Sequence, residues 1–394
     1  MFLKSAFALA LLTRVFAADA VPPTAGLTVH EWGTFTSVAG ENGAAVQWAQ
    51  LTAPSDLPCF VYHLSTQCIK CGANRVRMET PVLYFYSPRP ATVSVHVDLP
   101  SGLITEWYPR ARIVPQQQTG GEGGQIDWGR VEVSPGAAPE FPTTGNASHY
   151  YAARATDSAA LHVGNQAEKL LFYRGVANFP VAVEPKFLAD GRLEIRNTGL
   201  RSIRLAILFE NHDGKSGYRI IHELGAPLAM DLPVLTANDE ALHWELATAL
   251  VEAGLYPKEA AAMIDTWRDS WFEEGVRVFY VMPQAAVDSV LPLKITPEPA
   301  SIARVFVGRV EVLSPQMRHA LQTALAAGDT ETLAKCGRFL DPFVARIIDQ
   351  HADQHGGAAI SPAAQAFIKA RMQAAQSGAA PCRPEPVTLP TEQQ

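Results

Sequence analysis

The 394-residue chain is short of charge. Asp, Glu, Lys and Arg make up 18% of it, and acidic side chains outnumber basic ones 39 to 32. No basic stripe offsets that excess, and an acidic surface repels phosphate backbones, which argues against nucleic acid as a partner. The phosphate-cradling glycine loop, the dinucleotide fingerprint and the Gly-x-Ser-x-Gly nucleophile elbow are all missing; Ser216, in Gly214-Lys215-Ser216-Gly217, lacks the elbow's spacing. No apolar run reaches the roughly 20 residues that a helical membrane span needs. Cysteine is scarce as well, with Cys59, Cys68, Cys71, Cys336 and Cys382 making five. Four of these can form two bridges in an oxidising compartment and leave one thiol over; pairing of Cys336 with Cys382 would pin the C-terminal tail.

What is present begins with a secretory pattern. Lys4 supplies a positive start, Ala6 to Leu12 an apolar stretch, and Ala18-Asp19-Ala20 a small-x-small cleavage site, so residues 1–18 read as a signal peptide. Cleavage there would remove Lys4 and Arg14 and take the formal charge from −7 to −9. The expected location is secreted or periplasmic.

Strand signals dominate the next two hundred residues. Leu27 to Val38 alternates, with Val29, Glu31 and Phe35 on one side and His30, Trp32 and Thr34 on the other, and Asn42-Gly43 marks a hairpin turn. Val82-Leu83-Tyr84-Phe85-Tyr86 is an apolar run suited to burial on both faces, whereas Thr92 to Leu99 alternates strictly and suits a half-buried strand. With Leu103 to Ile113 these predict an antiparallel meander. Strands recur between Leu170 and Leu224 at turn-separated intervals that suggest a sandwich. At Thr236 the period becomes helical, Pro257 opens a second helix, strands return from Val276 to Leu313, and Pro315 to Ala375 is alanine-rich and helical. The expected fold is therefore mainly β, antiparallel and sandwich-like, with a C-terminal α+β part. Its expected divisions are a β-rich region over 25–234, in one or two subdomains, an α+β and helical region over 235–375, and a disordered tail over 376–394.

Candidate chemistry is confined to polar pairs. Glu31 shares a strand face with apolar side chains, so it is solvated at an edge, paired in the interior, or a carboxyl of raised pKa. His96 and Asp98 share the polar face of one strand, where the carboxylate can orient the imidazole. These three are the catalytic candidates. His212 and Asp213 leave one strand and His222 approaches the end of the next, making them candidate ligands for a divalent metal such as zinc, although Asn211, Asp213 and Gly214 also suit a plain turn. Cys68-x-x-Cys71, with Cys59 and His63, is read as a disulfide staple before a zinc site because the chain looks exported. His351 and His355 are four apart, but Ala352 stands where zinc helices carry a general-base glutamate. Trp32, Trp48, Trp107 and Trp128 are read as core before sugar platform.

His30-Glu31-Trp32-Gly33-Thr34-Phe35, together with Met78-Glu79-Thr80-Pro81-Val82-Leu83-Tyr84-Phe85-Tyr86, resembles a family of exported bacterial proteins of unknown function, over most of the mature chain. The resemblance implies a bacterial, exported protein and carries no catalytic residue across. Without a complete catalytic constellation, the expected function is binding, in the cell envelope or extracellular space, of a small-molecule or envelope ligand or of a partner; the alternative is a metal-dependent hydrolase with its site at the sheet rim.

Overall fold

The computed structural model describes residues 24–50, 56–64, 73–114, 123–145, 147–236, 240–353 and 360–377. The expected signal peptide, Cys68, Cys71, His355, Cys382 and nearly all of the expected tail lie outside them. The fold is mainly β with C-terminal helices, as its sequence predicts.

Its frame is a nine-stranded sheet. The order across it is β15 (Lys215–Leu224), β14 (Ile203–His212), β17 (Gly275–Val281), β19 (Pro299–Val312), β1 (Thr24–Val38), β3 (Val76–Tyr86), β11 (Leu171–Ala177), β5 (Gly102–Tyr108) and β2 (Tyr62–His63). Every pair in it is antiparallel except the central one, β1 with β19. Both strands are long and rich in β-branched residues, Thr and Val in β1 and Val in β19, and they are buried continuously over Val29–Val38 and Arg304–Val312. Since β17 and β19 complete a sheet begun by β1, the sheet crosses the boundary expected near residue 235, and one continuous core cluster runs from Leu27 to Val312.

A second, antiparallel sheet runs β10 (Gln166–Glu168), β9 (Ala160–Val163), β8 (Val131–Ser134), β4 (Ala91–Leu99), β7 (Gly124–Asp127) and β6 (Arg112–Val114), with β18 (Leu293–Thr296) also on β4. The expected meander is therefore not formed: β3 and β5 both pair with β11, and β4 leaves for the second sheet. The burial patterns explain the separation. β3 is buried on both faces and needs a layer on each side, whereas β4 buries only Val93, Val95, Val97 and Leu99 and can face solvent with the rest. A small sheet of β12 (Val183–Phe187), β13 (Leu193–Asn197) and β16 (Leu228–Met230) completes the strands described.

Helices cover the other face of the large sheet. α1 (Glu240–Glu252) and α2 (Pro257–Trp271) pack together, and α2 starts with Pro257 and with Glu259 accepting the Tyr256 N–H at 2.7 Å. After α3 (Gln284–Val290), a second cluster of apolar residues joins α4 (Pro315–Ala327), α5 (Thr330–Lys335), α6 (Leu340–Asp353) and α7 (Pro362–Ser377). Cys336 belongs to this cluster as a free, buried thiol, so its expected pairing with Cys382 is not formed; burial beside Met317 secures the segment instead. Cys59 is disulfide-bonded.

One irregularity decides what the helix-covered face carries. Between Trp32 and Thr34 of β1, strand β3 fits three steps, Val82 to Glu79, so Thr80-Pro81 is a bulge opposite Gly33. Thr80 adopts φ of 48°, rare for a β-branched residue. Strand β5 has its own extra residue, Thr105, one strand beyond β11. The bulge changes the phase of β3, so Arg77 and Glu79 before it and Val82, Tyr84 and Tyr86 after it all face the helices. In a regular strand, one of these two sets would be turned to the opposite side.

Candidate functional site

At the latitude of the bulge the helices part and leave a cleft of about 310 Å³. Its floor is the sheet itself, with Arg77, Glu79 and Thr80 from β3 and Phe172 and Arg174 from β11. One wall is α2, contributing Trp267, Asp269 and Ser270; facing it are His149 and Tyr150 from a 3₁₀ turn over His149–Arg154. Arg338, in a single turn between α5 and α6, closes one end and Asp56 lies at the mouth.

Three guanidinium groups converge here on few acceptors. Arg77 donates to the Gln50 carbonyl and lies 3.3 Å from Glu79. Arg338 donates through Nη1 to Glu79, and Arg174 donates through Nη2 to Thr80 Oγ1 at 3.2 Å. That leaves Nε of Arg174 and both Nε and Nη2 of Arg338 buried without a hydrogen-bond partner among the described residues. Trp267 Nε1 and Ser270 Oγ, also in the lining, share that condition. Such groups cost free energy when left unmatched, on the order of 1–3 kcal/mol each, and more when charged. All five belong to residues that line the cleft, the atoms themselves lying just beneath its surface, and the complement of such donors is an acceptor-rich, anionic group.

Glu79 is not the group that protonates here. Burial would raise its pKa, but the charges of Arg338 and Arg77 and the Thr36 hydroxyl, 2.5 Å away, outweigh burial and hold it at about 2. The floor and its closed end therefore carry three guanidinium charges and the Glu79 carboxylate; the other carboxylate at that depth, Glu273, is taken up by Arg309, 2.7 Å away. At the mouth, His149 donates from Nδ1 to Asp56 and from Nε2 to Asp269, each at 2.8 Å. Donation from both ring nitrogens requires the imidazolium. Burial works against that cation, but the two carboxylates outweigh it and raise its pKa. Asp56 is pushed up by burial and brought below the usual range by the charge of Arg174 and by His149.

The residues singled out from sequence fall elsewhere and do not form one site. Glu31 is wholly buried, accepting from Tyr173 Oη at 2.5 Å and from Arg304 Nε at 2.6 Å, which is the interior pairing among its three alternatives. His96 Nε2 and Asp98 Oδ1 are 3.0 Å apart on the outer face of β4, about a third exposed and in a different sheet from Glu31. His212 and Asp213 do come together, with Glu274 as their third member: ligand atoms of all three lie within 4.8 Å of one another. His222 does not join them, since it pairs with Leu205 at the far end of the hairpin. All four tryptophans considered for a platform are buried, at 0 to 4% exposure.

Sequence reasoning missed the cleft because its lining is drawn from six separate stretches of chain. A signal was present nonetheless: Pro81 inside an apolar strand marks a bulge, and Arg77 and Glu79 alternate in a stretch otherwise fit only for burial.

No protein-family model matches the chain, and no curated protein does. Among solved structures it is similar to the Fcho1 Mu homology domain of Danio rerio with bound Eps15 peptide, at 8% identity and a TM-score of 0.30, over 73% of this chain and 96% of that one. A likeness that loose has no bearing on function.

Proposed function

We propose that this is an exported ligand-binding protein that holds a small anion in the arginine-floored cleft. The observation that carries the binding half is the set of buried guanidinium, indole and hydroxyl donors without partners among the described residues. Support for export comes from the Lys4 to Ala20 pattern and from the resemblance to an exported bacterial family. Binding is favoured over turnover because the buried carboxyl on the floor, Glu79, is held ionised and paired. The test is titration calorimetry at pH 7 with phosphate, sulfate, propionate and hydrocinnamate. At least one should bind, and Arg174→Met should weaken it about tenfold or more, the usual worth of a charge-assisted bond. Ser270→Ala, a milder change in the same lining, should weaken it less and guards against a folding defect. Wild-type affinity in Arg174→Met, or no binding by any of the four or by any other carboxylate of similar size, would remove the proposal.

The second reading, a metal-dependent hydrolase, draws its support from His212, Asp213 and Glu274. Against it, the ammonium of Lys335 sits 2.7 Å from Asp213 Oδ1, and His212 Nδ1 is 2.9 Å from Glu274 Oε1, so the cluster is internally satisfied. Elemental analysis after dialysis should find less than about 0.1 equivalent of zinc, copper or iron, whereas a site of this type would retain metal in near-stoichiometric amount. Near-stoichiometric metal that His212→Ala abolishes would reverse the preference.

A further inference from the structure

The same cleft is electrically polarised, and its polarity specifies more than an anion. Arg77, Arg174 and Arg338 lie at the floor end around Glu79, and Asp56 and Asp269 lie at the mouth on either side of the His149 imidazolium, so the floor end is net positive and the mouth net negative by one charge. Of the carboxylates at the mouth, Asp269 is 74% exposed and gives only Oδ2 to His149, so Oδ1 has no hydrogen-bond partner among the described residues. The rest of the lining mixes Leu57, Tyr150, Phe172 and Trp267 with the hydroxyls of Thr80, Thr266 and Ser270.

We infer, on the basis of the anion-binding reading above, that the ligand is a small zwitterion, an amino acid or short peptide, entering carboxylate first and leaving its ammonium at the mouth. A carboxylate satisfies the Arg174 and Arg338 donors in the planar geometry that guanidinium favours. An apolar side chain fills the ring-lined middle, and the ammonium meets Asp269 Oδ1. A plain polyanion such as phosphate is served less well, because it must pass a mouth whose two carboxylates outnumber its one imidazolium, on a chain whose formal charge is already −7. The volume, about 310 Å³, lies at the small end of ligand sites and suits one or two residues, not a polymer.

Four probes separate this inference from the reading it rests on. L-Phenylalanine and L-alanyl-L-phenylalanine carry both charges, hydrocinnamate only the carboxylate and phenethylamine only the ammonium. In calorimetry at pH 7, one of the zwitterions should bind about tenfold or more tighter than hydrocinnamate, and phenethylamine should bind least. Asp269→Asn should shrink the preference for the zwitterion to less than about threefold while leaving hydrocinnamate binding equal or tighter. That variant is exposed and its folding is not in question. If hydrocinnamate or phosphate binds as tightly as either zwitterion, the inference falls and the anion site stands. If phenethylamine binds best, or none of the probes nor phosphate or sulfate binds, both fall together.

Discussion

Glu311→Ala is expected to lower the unfolding free energy by about 3–5 kcal/mol, the cost typical of removing one partner from a buried ionic cluster. Glu311 on β19 is 1% exposed, and its Oε1 lies 2.5 Å from Arg309 Nε and 2.9 Å from Arg277 Nε. Both arginines are fully buried. Burial pushes the Arg277 pKa down despite Glu311, whereas Arg309 also has Glu273, 2.7 Å from its Nη2, and is raised. Without Glu311, Arg309 keeps Glu273 as its bonded carboxylate, while Arg277 is left with only the backbone carbonyls of Trp271, Glu273 and Glu274 for its buried charge. Urea unfolding followed by fluorescence of the buried tryptophans measures the loss. A deficit below about 1 kcal/mol would mean that solvent reaches the cluster and screens it.

The second large effect depends on acid. Glu79 is held at about 2 in the folded protein against an ordinary value of 4.5. A depressed carboxyl stabilises the fold above the unfolded pKa, and that contribution is lost as pH falls through the folded one. The contribution is on the order of 3 kcal/mol, fully present at pH 7, declining below about pH 4.5 and gone near pH 2. Glu79→Gln should therefore be less stable than wild type by about that amount at neutral pH, and the two stability curves should converge as pH approaches 2. A deficit that stays constant across this range would assign the loss to packing and geometry, with charge playing no part.

Much of the architecture was legible because the burial patterns were. Strict alternation in Thr92–Leu99 marked a half-buried strand, the run ending at Tyr86 marked a doubly buried one, and Pro257 marked the start of α2. The connectivity was not legible, because a local period says how many faces are covered but not by which partner: β3 and β5 are near in sequence yet are separated in the sheet by β11. The candidate residues failed to converge for a related reason. Glu31 looked anomalous on its apolar face because the residue that explains it, Arg304, lies 273 positions away. The cleft was hidden further, since three arginines from β3, β11 and the turn after α5 acquire meaning only once a bulge turns Arg77 and Glu79 toward the helices.

The parallel pairing of β1 with β19 bears on how the chain reaches its native state. An N-terminal strand whose neighbour is Pro299–Val312 has half of its hydrogen-bonding edge unsatisfied until about three-quarters of the sequence is available. Closure of so long a loop makes the native topology slow to attain, and until then β1 and β3 present an apolar ribbon with an open flank. A protein assembled in this way needs a period of protection after synthesis. Its two outer quarters act as halves of a single seam, so a nick in an exposed loop between them would be tolerated far better than the loss of either end.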